Sequence, residues 1–189
     1  MKYAEQITQT GPTLGGLTQF VMNLNSIFDP NRTGLGHQPY GHDTMAAIYN
    51  RYRVVSCNYA ISALSTGGST GDAYSIIAAL PANEVIGIGG GVAEVQENPR
   101  CRFITQAPNA ALKVLKGTVY MPSLMGRTRE QYLSDDRYQA VYGSSPAELG
   151  VLNIFTGLLN GTSETMTAKL NVVLTFTVES FDYKQLSQS

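Results

Sequence analysis

The only two histidines in the chain, His37 and His42, stand close together in one segment, and Asp43 follows the second directly. Imidazole and carboxylate are suitable ligands for a transition metal, and the same groups serve as base and orienter beside a nucleophilic hydroxyl. Neither chemistry is completed by the surrounding residues. No third strong ligand stands at a recognisable spacing, and no Gly-x-Ser-x-Gly elbow is present. In VIGIGGGVAEV, a G-x-G-x-x-G pattern begun at Gly87 meets Val92 at its last position, and no Gly-Lys-Ser/Thr follows to cradle a phosphate. Asp135-Asp136 are sequence neighbours in an expected loop, where solvated charge is the simpler account than paired-carboxylate hydrolysis. The expectation is a chain with no catalytic residues, no metal site and no cofactor, and not an enzyme.

Composition points to association. Thirteen Lys and Arg stand against 14 Asp and Glu, a formal charge of −1, which argues against a stand-alone binder of polyanions. Charged residues make up 14% of the chain, where soluble domains carry about 25%, so much of the surface is built to be covered by another protein. With 189 residues, one domain over 1–189 is expected, residues 1–16 forming an N-terminal extension with Lys2 as their only basic side chain. Cys57 and Cys101 are too few for a disulfide framework or a Cys-rich zinc site, and two reduced thiols are expected. MKYAEQITQTGPTLGG holds no continuous apolar run of a secretory signal, and no stretch approaches a membrane span of about 18 apolar residues.

Many short apolar runs bounded by Gly, Pro, Asn and Ser predict an all-β fold. In MTAKLNVVLTFTVES, Met166, Ala168, Leu170, Val172, Leu174, Phe176 and Val178 share one parity, the pattern of a long half-buried strand. In YRVVSCNYAISAL, Arg53, Val55, Cys57, Tyr59, Ile61 and Ala63 alternate with a more polar set. LTQFVMNLNSIF, AYSIIAAL, CRFIT, LKVLKGTVYM and VLNIFTGLL are further strands, and an eighth hides in YQAVYG or YAEQIT. Short helices are predicted at TMAAIYNRY, capped by Asp43, and at REQYLSDD, with ANEVIGIGGGVAEVQ a glycine-rich linker. Two sheets packed face to face, with helices in the connections, make an eight-stranded jelly-roll sandwich.

The helix-bearing segment resembles the capsid proteins of small eukaryotic viruses whose circular single-stranded DNA genomes encode a Rep replication protein. In that family a strand ending in a DP turn leads to a G-H-Q-P-x-G-x-D loop, a short helix and Y-x-x-Y-R-V at the start of the next strand. Here these positions read Asp29-Pro30, then Gly36-His37-Gln38-Pro39-Tyr40-Gly41-His42-Asp43, then Tyr49-Asn50-Arg51-Tyr52-Arg53-Val54. Glu97-Asn98-Pro99-Arg100 is similar to the family's E-x-P turn, and Glu179-Ser180-Phe181-Asp182 to its closing strand. The resemblance implies a jelly roll that self-assembles into a small icosahedral shell, a virus-like particle most simply of sixty copies, found in the virion and assembled inside the host cell. One departure is the missing arginine-rich arm. Copies of itself are the expected partners, with an unidentified host receptor, no membrane insertion and at most weak single-stranded DNA contact.

The same resemblance marks Gly36, His37, Gln38, Pro39, Tyr40, Gly41, Asp43, Tyr49, Arg51, Tyr52 and Arg53 as the assembly loop. Residues that touch nucleic acid are not assigned, though Arg51, Arg53, Arg100, Arg102, Lys113, Lys116, Arg127 and Arg129 recur as close pairs that suit either phosphates or acidic neighbours. The alternative of another class is a soluble carbohydrate-binding jelly roll presenting Tyr40, Tyr138 and Tyr142 to sugars. Asn31-Arg32-Thr33 and Asn160-Gly161-Thr162 match the N-glycosylation pattern but also suit strand-end turns.

Overall fold

In the computed structural model, residues 1–11, 16–67, 74–87, 91–107, 112–159 and 166–185 are described. Among the described residues nine strands are formed: β1 Lys2–Thr10, β2 Leu17–Asn23, β3 Tyr49–Gly67, β4 Ser75–Ala82, β5 Arg102–Gln106, β6 Val114–Tyr120, β7 Gln139–Val141, β8 Val151–Leu158 and β9 Met166–Tyr183. One sheet runs β1-β9-β3-β6, with the three-residue β7 continuing the β6 edge against the start of β3, and the other runs β2-β8-β4-β5. Every pairing is antiparallel. Setting β7 aside, eight strands wind between two four-stranded sheets in the order of a jelly roll. Both places where an eighth strand was sought are strands, as β1 and β7.

Within the expected N-terminal extension 1–16, the described residues 2–10 belong to the sheet. Lys2 through Thr10 pair residue for residue with Thr175 back to Thr167 of β9, so the segment is an edge strand of the roll, with Tyr3 fully buried.

The core lies between the sheets, and β9 supplies one wall as its alternation predicts: Ala168, Leu170, Val172, Leu174 and Phe176 are at most 2% exposed, with Val178 packed beside them. β3 supplies the next wall in two phases. Cys57, Tyr59, Ile61 and Ala63 face inward, but towards the N-terminus the core residues are Tyr52 and Val54, with Arg53 covered on the other face at 8% exposure. A β-bulge at Val55, where the register with β9 shifts between Val54 and Ser56, changes the parity. Arg53 and Val55 therefore do not share the face of Cys57.

β8 is buried along its whole length, because both of its faces are covered. Leu152 and Ile154 join the main core, whereas Phe155 packs on the opposite face with Ile76, Ala78, Leu80 and Val95. The cover comes from Ile86 and from helix α2, Val92–Glu97, with Val92 and Val95, both parts of the stretch expected as a linker, of which residues 88–90 lie outside the described residues. Fully buried Asn153 fastens it, donating to the carbonyls of Leu80 and Glu84 and accepting from Gln19 Nε2 at 2.8 Å and the Ile86 amide at 3.3 Å. Helix α3 is Met121–Leu124, and α4, Arg129–Ser134, opens with a capping box between Thr128 and Gln131.

Candidate functional site

The β2–β3 connection carries the motif, and its first part is held against β1 by buried polar groups. The amide of Asn23 donates to Pro30 O at 2.8 Å, closing the Asp29-Pro30 turn. Asn31, 3% exposed, donates from Nδ2 to Glu5 Oε1 at 2.9 Å, while its Oδ1 accepts from the amide and hydroxyl of Thr33. Its side chain is thus committed to a turn, in keeping with the turn reading of Asn31-Arg32-Thr33; Asn160-Gly161-Thr162 lies outside the described residues. Tyr3 donates to the other oxygen of Glu5, and burial, then that carboxylate, push its phenol well above the ordinary range.

Gly36 passes directly over this cluster. A Cβ there would lie 2.5 Å from Tyr3 Oη and 2.8 Å from Asn31 Cβ, so the motif requires glycine for close approach. His37 stacks on the Tyr3 ring at 4.7 Å, Gln38 is half-buried, Pro39 is buried, and Tyr40 bridges to Lys2, its amide 3.3 Å from Lys2 O. The Tyr40 side chain is 95% exposed.

Gly41, at φ 85°, is the N-cap of helix α1, His42–Ile48. Asp43 was expected in that role. It lies instead inside the first turn, makes no capping hydrogen bond, and its Oδ1 stands 3.0 Å from His42 Nδ1. The left-handed glycine starts the helix two residues earlier than an Asp43 cap would. His42 is buried with its edge towards Tyr142, and its Nε2 makes no hydrogen bond among the described residues. The two histidines are therefore taken by different aromatic partners, and among the described residues no cluster of three or more His, Cys, Asp or Glu is placed to hold a metal.

After α1 the chain enters β3, and the bulge decides where the remaining motif residues go. Tyr52 turns into the core, donates to Ser144 O at 2.8 Å, and burial pushes its phenol up to about 12. Tyr49, Arg51 and Arg53 take the opposite face, directly across from Tyr183, Phe181 and Glu179 of β9. Tyr49 and Tyr183 rings lie 4.7 Å apart, Arg53 lies over Phe181 at 5.4 Å and bonds Gln139, and Arg51 Nε is 3.4 Å from Asp182. Val141, 50% exposed, stands opposite Arg51 on the other side, and Lys184 N bonds Ile48 O. The result is a surface patch of Ile48, Tyr49, Arg51, Val141 and Tyr183, with Arg53, 8% exposed, packed against Phe181 and Gln139 beside it.

The motif residues thus divide into a braced loop and an open face, joined by a short helix. No protein-family model matches the chain, and no curated protein is similar to it in sequence. Its fold is similar to that of a viral chain. The solved structure, of Desmodium yellow mottle tymovirus, has 9% identity and a TM-score of 0.38, over 100% of this chain and 90% of that one. The jelly-roll assignment stands on the strand order of the two sheets.

Two of the three tyrosines of the sugar-binding alternative are not presented. Tyr138 is buried and stacked on Tyr132 at 4.6 Å, and Tyr142 sits between His42 and Tyr52 with its hydroxyl 2.7 Å from Ser180. Asp135 caps the 3-10 turn Asp136–Tyr138 and pairs with Arg137 at 2.7 Å, whose hydrogen bonds lower its carboxyl to about 2. Asp136 accepts from Gln139. Both carboxylates serve local structure. Sequence reasoning missed Tyr3, Glu5 and Asn31 as the support of the loop, and Phe181 and Tyr183 as the other half of the patch. Alternation of Tyr3, Glu5 and Ile7 was the signal for the first group.

Proposed function

We propose that this chain is a viral capsid protein whose work is to self-assemble into a closed icosahedral shell, most simply of sixty copies, around a circular single-stranded DNA genome. The observation that carries the reading is the patch formed by the motif itself. Tyr49 and Arg51 share the open face of a jelly-roll sheet with Tyr183 and Val141, 74% and 50% exposed, beside Ile48 at 43%. Contiguous aromatic and aliphatic side chains around arginine are the composition of a protein interface, and a low charge fraction leaves few groups to keep them in water. Leu35 and Tyr40 on the braced loop, 89% and 95% exposed, offer a second contact. A shell needs such distinct patches, because contacts that are not self-complementary are what close a ring of copies. The protein would reside in the virion after assembly inside the host cell, with a host receptor still to be identified. Among the described residues no helix is long and apolar enough to cross a membrane.

Size-exclusion chromatography with negative-stain microscopy tests the reading. Wild-type protein should elute near the void volume as uniform particles, and Tyr183→Glu should remain folded but unassembled. A wild-type chain that stays monomeric at high concentration overturns it.

A further inference from the structure

The chain is electrically near neutral, but its charges are sorted. On the outward positions of β1, β9, β3 and β6, from Lys2 through Thr8, Lys169 through Thr177, Ser56 through Ser62 and Val114 through Tyr120, there is no carboxylate. Lys2, Lys116 and Lys169 rise from this face among hydroxyls and amides, and none of them forms an ion pair with a described carboxylate. Glu5, on β1, has the inward parity of Tyr3 and is held by Asn31. Glu179 lies farther along β9 and faces Arg129 at 3.9 Å.

Two adjoining hollows deepen the β6 side of this face. The first, about 480 Å³, is lined by Arg102 and Lys116, by the polar Asn58, Thr118 and Thr175, and by Tyr59, Ala60, Gly117 and Val173. Arg102 reaches across from β5, its guanidinium 3.5 Å from Lys116 O. The second, about 370 Å³, shares Arg102 and Thr118 with the first and adds Arg100 and Tyr120, whose ring is 40% exposed. Both volumes fall in the range of small-ligand sites, about 300–1,000 Å³. No carboxylate lines either hollow.

The geometry points to a binding track for single-stranded nucleic acid along the β5–β6 edge, with phosphates on Arg100, Arg102 and Lys116 and a base against Tyr120. Grouped cations, a partly exposed aromatic ring and no carboxylate in the lining suit the binding of a flexible phosphodiester chain without reading its sequence. Hydroxyls and side-chain amides on the walls suit sugar and phosphate oxygens. An acidic protein segment would use the cations but gain nothing from Tyr120. The track rests on the capsid reading only for which nucleic acid the chain meets.

The test titrates fluorescein-labelled (dT)30 with the full chain at several salt concentrations, below the concentration at which light scattering detects particles. Nuclease-protected (dT)30 is counted separately in particles assembled in its presence. Each phosphate contact to a single strand contributes a slope of about 0.7 in log affinity against log salt. The double variant Arg102→Gln/Lys116→Gln should therefore lose about 1.4 from the slope and at least ten-fold in affinity at low salt. Tyr120→Ala should weaken binding about five-fold at every salt with the slope unchanged, and Lys184→Gln, an exposed cation away from the hollows, should behave as wild type. Unaltered melting temperatures keep these comparisons valid. A double variant equal to wild type, a Lys184→Gln loss of the same size, or polyglutamate competing as well as (dT)30 would each overturn the track. Particles that form without protecting (dT)30 count against the track alone, whereas (dT)30 binding by a chain that never forms particles counts against the capsid reading alone.

Discussion

Gly36→Ala separates two reasons for glycine in the same loop. At Gly36 the backbone needs no left-handed angle, but an added methyl meets Tyr3 Oη at 2.5 Å and Asn31 Cβ at 2.8 Å. Neither neighbour yields freely, since Tyr3 is 1% exposed, stacked on His37 and bonded to Glu5, and Asn31 holds both Glu5 and Thr33. Forcing a methyl into such a site costs about 1–3 kcal/mol. At a middle value of about 2 kcal/mol, a chain of this length should melt about 4–8 °C lower. Gly34 is the control, because its φ of 73° is left-handed and nothing lies within 4 Å of a Cβ there. Asparagine tolerates that conformation, so Gly34→Asn should melt close to wild type while Gly36→Asn falls at least as far as Gly36→Ala. The assay is thermal unfolding of unassembled protein followed by circular dichroism, with particle yield measured in parallel. Equal melting of Gly36→Ala and wild type, or equal losses from the two asparagine variants, would refute the close-approach argument.

Phe176→Ala, at a 2% exposed core position on β9, should cost about 3–5 kcal/mol and give mostly insoluble protein, which soluble-fraction yield and denaturant unfolding check. Asp43→Ala should cost less than about 1 kcal/mol by the same unfolding assay, because it removes a favourable charge from the first turn of α1 but no cap. Burial pushes the Cys57 thiol up to about 12 and that of half-buried Cys101 up to about 11, so iodoacetamide at neutral pH should label Cys101 first, as peptide mass spectrometry would show. A raised folded-state value means that Cys57 contributes its full stability below the unfolded value near 9 and loses it as pH rises towards 12. The melting temperature should accordingly fall over that window, and less steeply in Cys57→Ala.

Strand content was legible wherever one face of a strand is buried and the other wet. β9 shows this best: its apolar parity follows directly from packing on one side only. β8 shows no clean alternation because α2 covers its second face, so Asn153 and Thr156 are as buried as its apolar residues, and the stretch leading into that cover, rich in glycine, looks like a linker. The helix at 42–48 was visible, but its cap was misplaced, since a left-handed glycine and an aspartate two residues later are both valid start signals. The loop residues of the candidate site were visible only as a motif. Their supports, Tyr3, Glu5 and Asn31, lie on other segments, and no local pattern states that a tyrosine on β1 will meet a glycine more than thirty positions away.

The bulge at Val55 has a further consequence for how this sequence can vary. Were Val55 paired regularly instead of bulged out, the inward phase of Cys57 and Tyr59 would continue back to Arg53 and force a guanidinium between the two sheets, at a heavy desolvation cost. With the bulge, the strand behaves as two independent pleats joined by a phase shifter. The downstream pleat answers only to the core and to the lysine-bearing face, and the upstream pleat only to Tyr52, Val54 and the aromatic patch. Substitutions that retune contacts between copies can accumulate on Tyr49 and Arg51 without disturbing the packing of Cys57, Tyr59 and Ile61; deletion of Val55 itself would only make the register regular, whereas a single-residue deletion elsewhere in the longest strand would exchange inside for outside along the part beyond it.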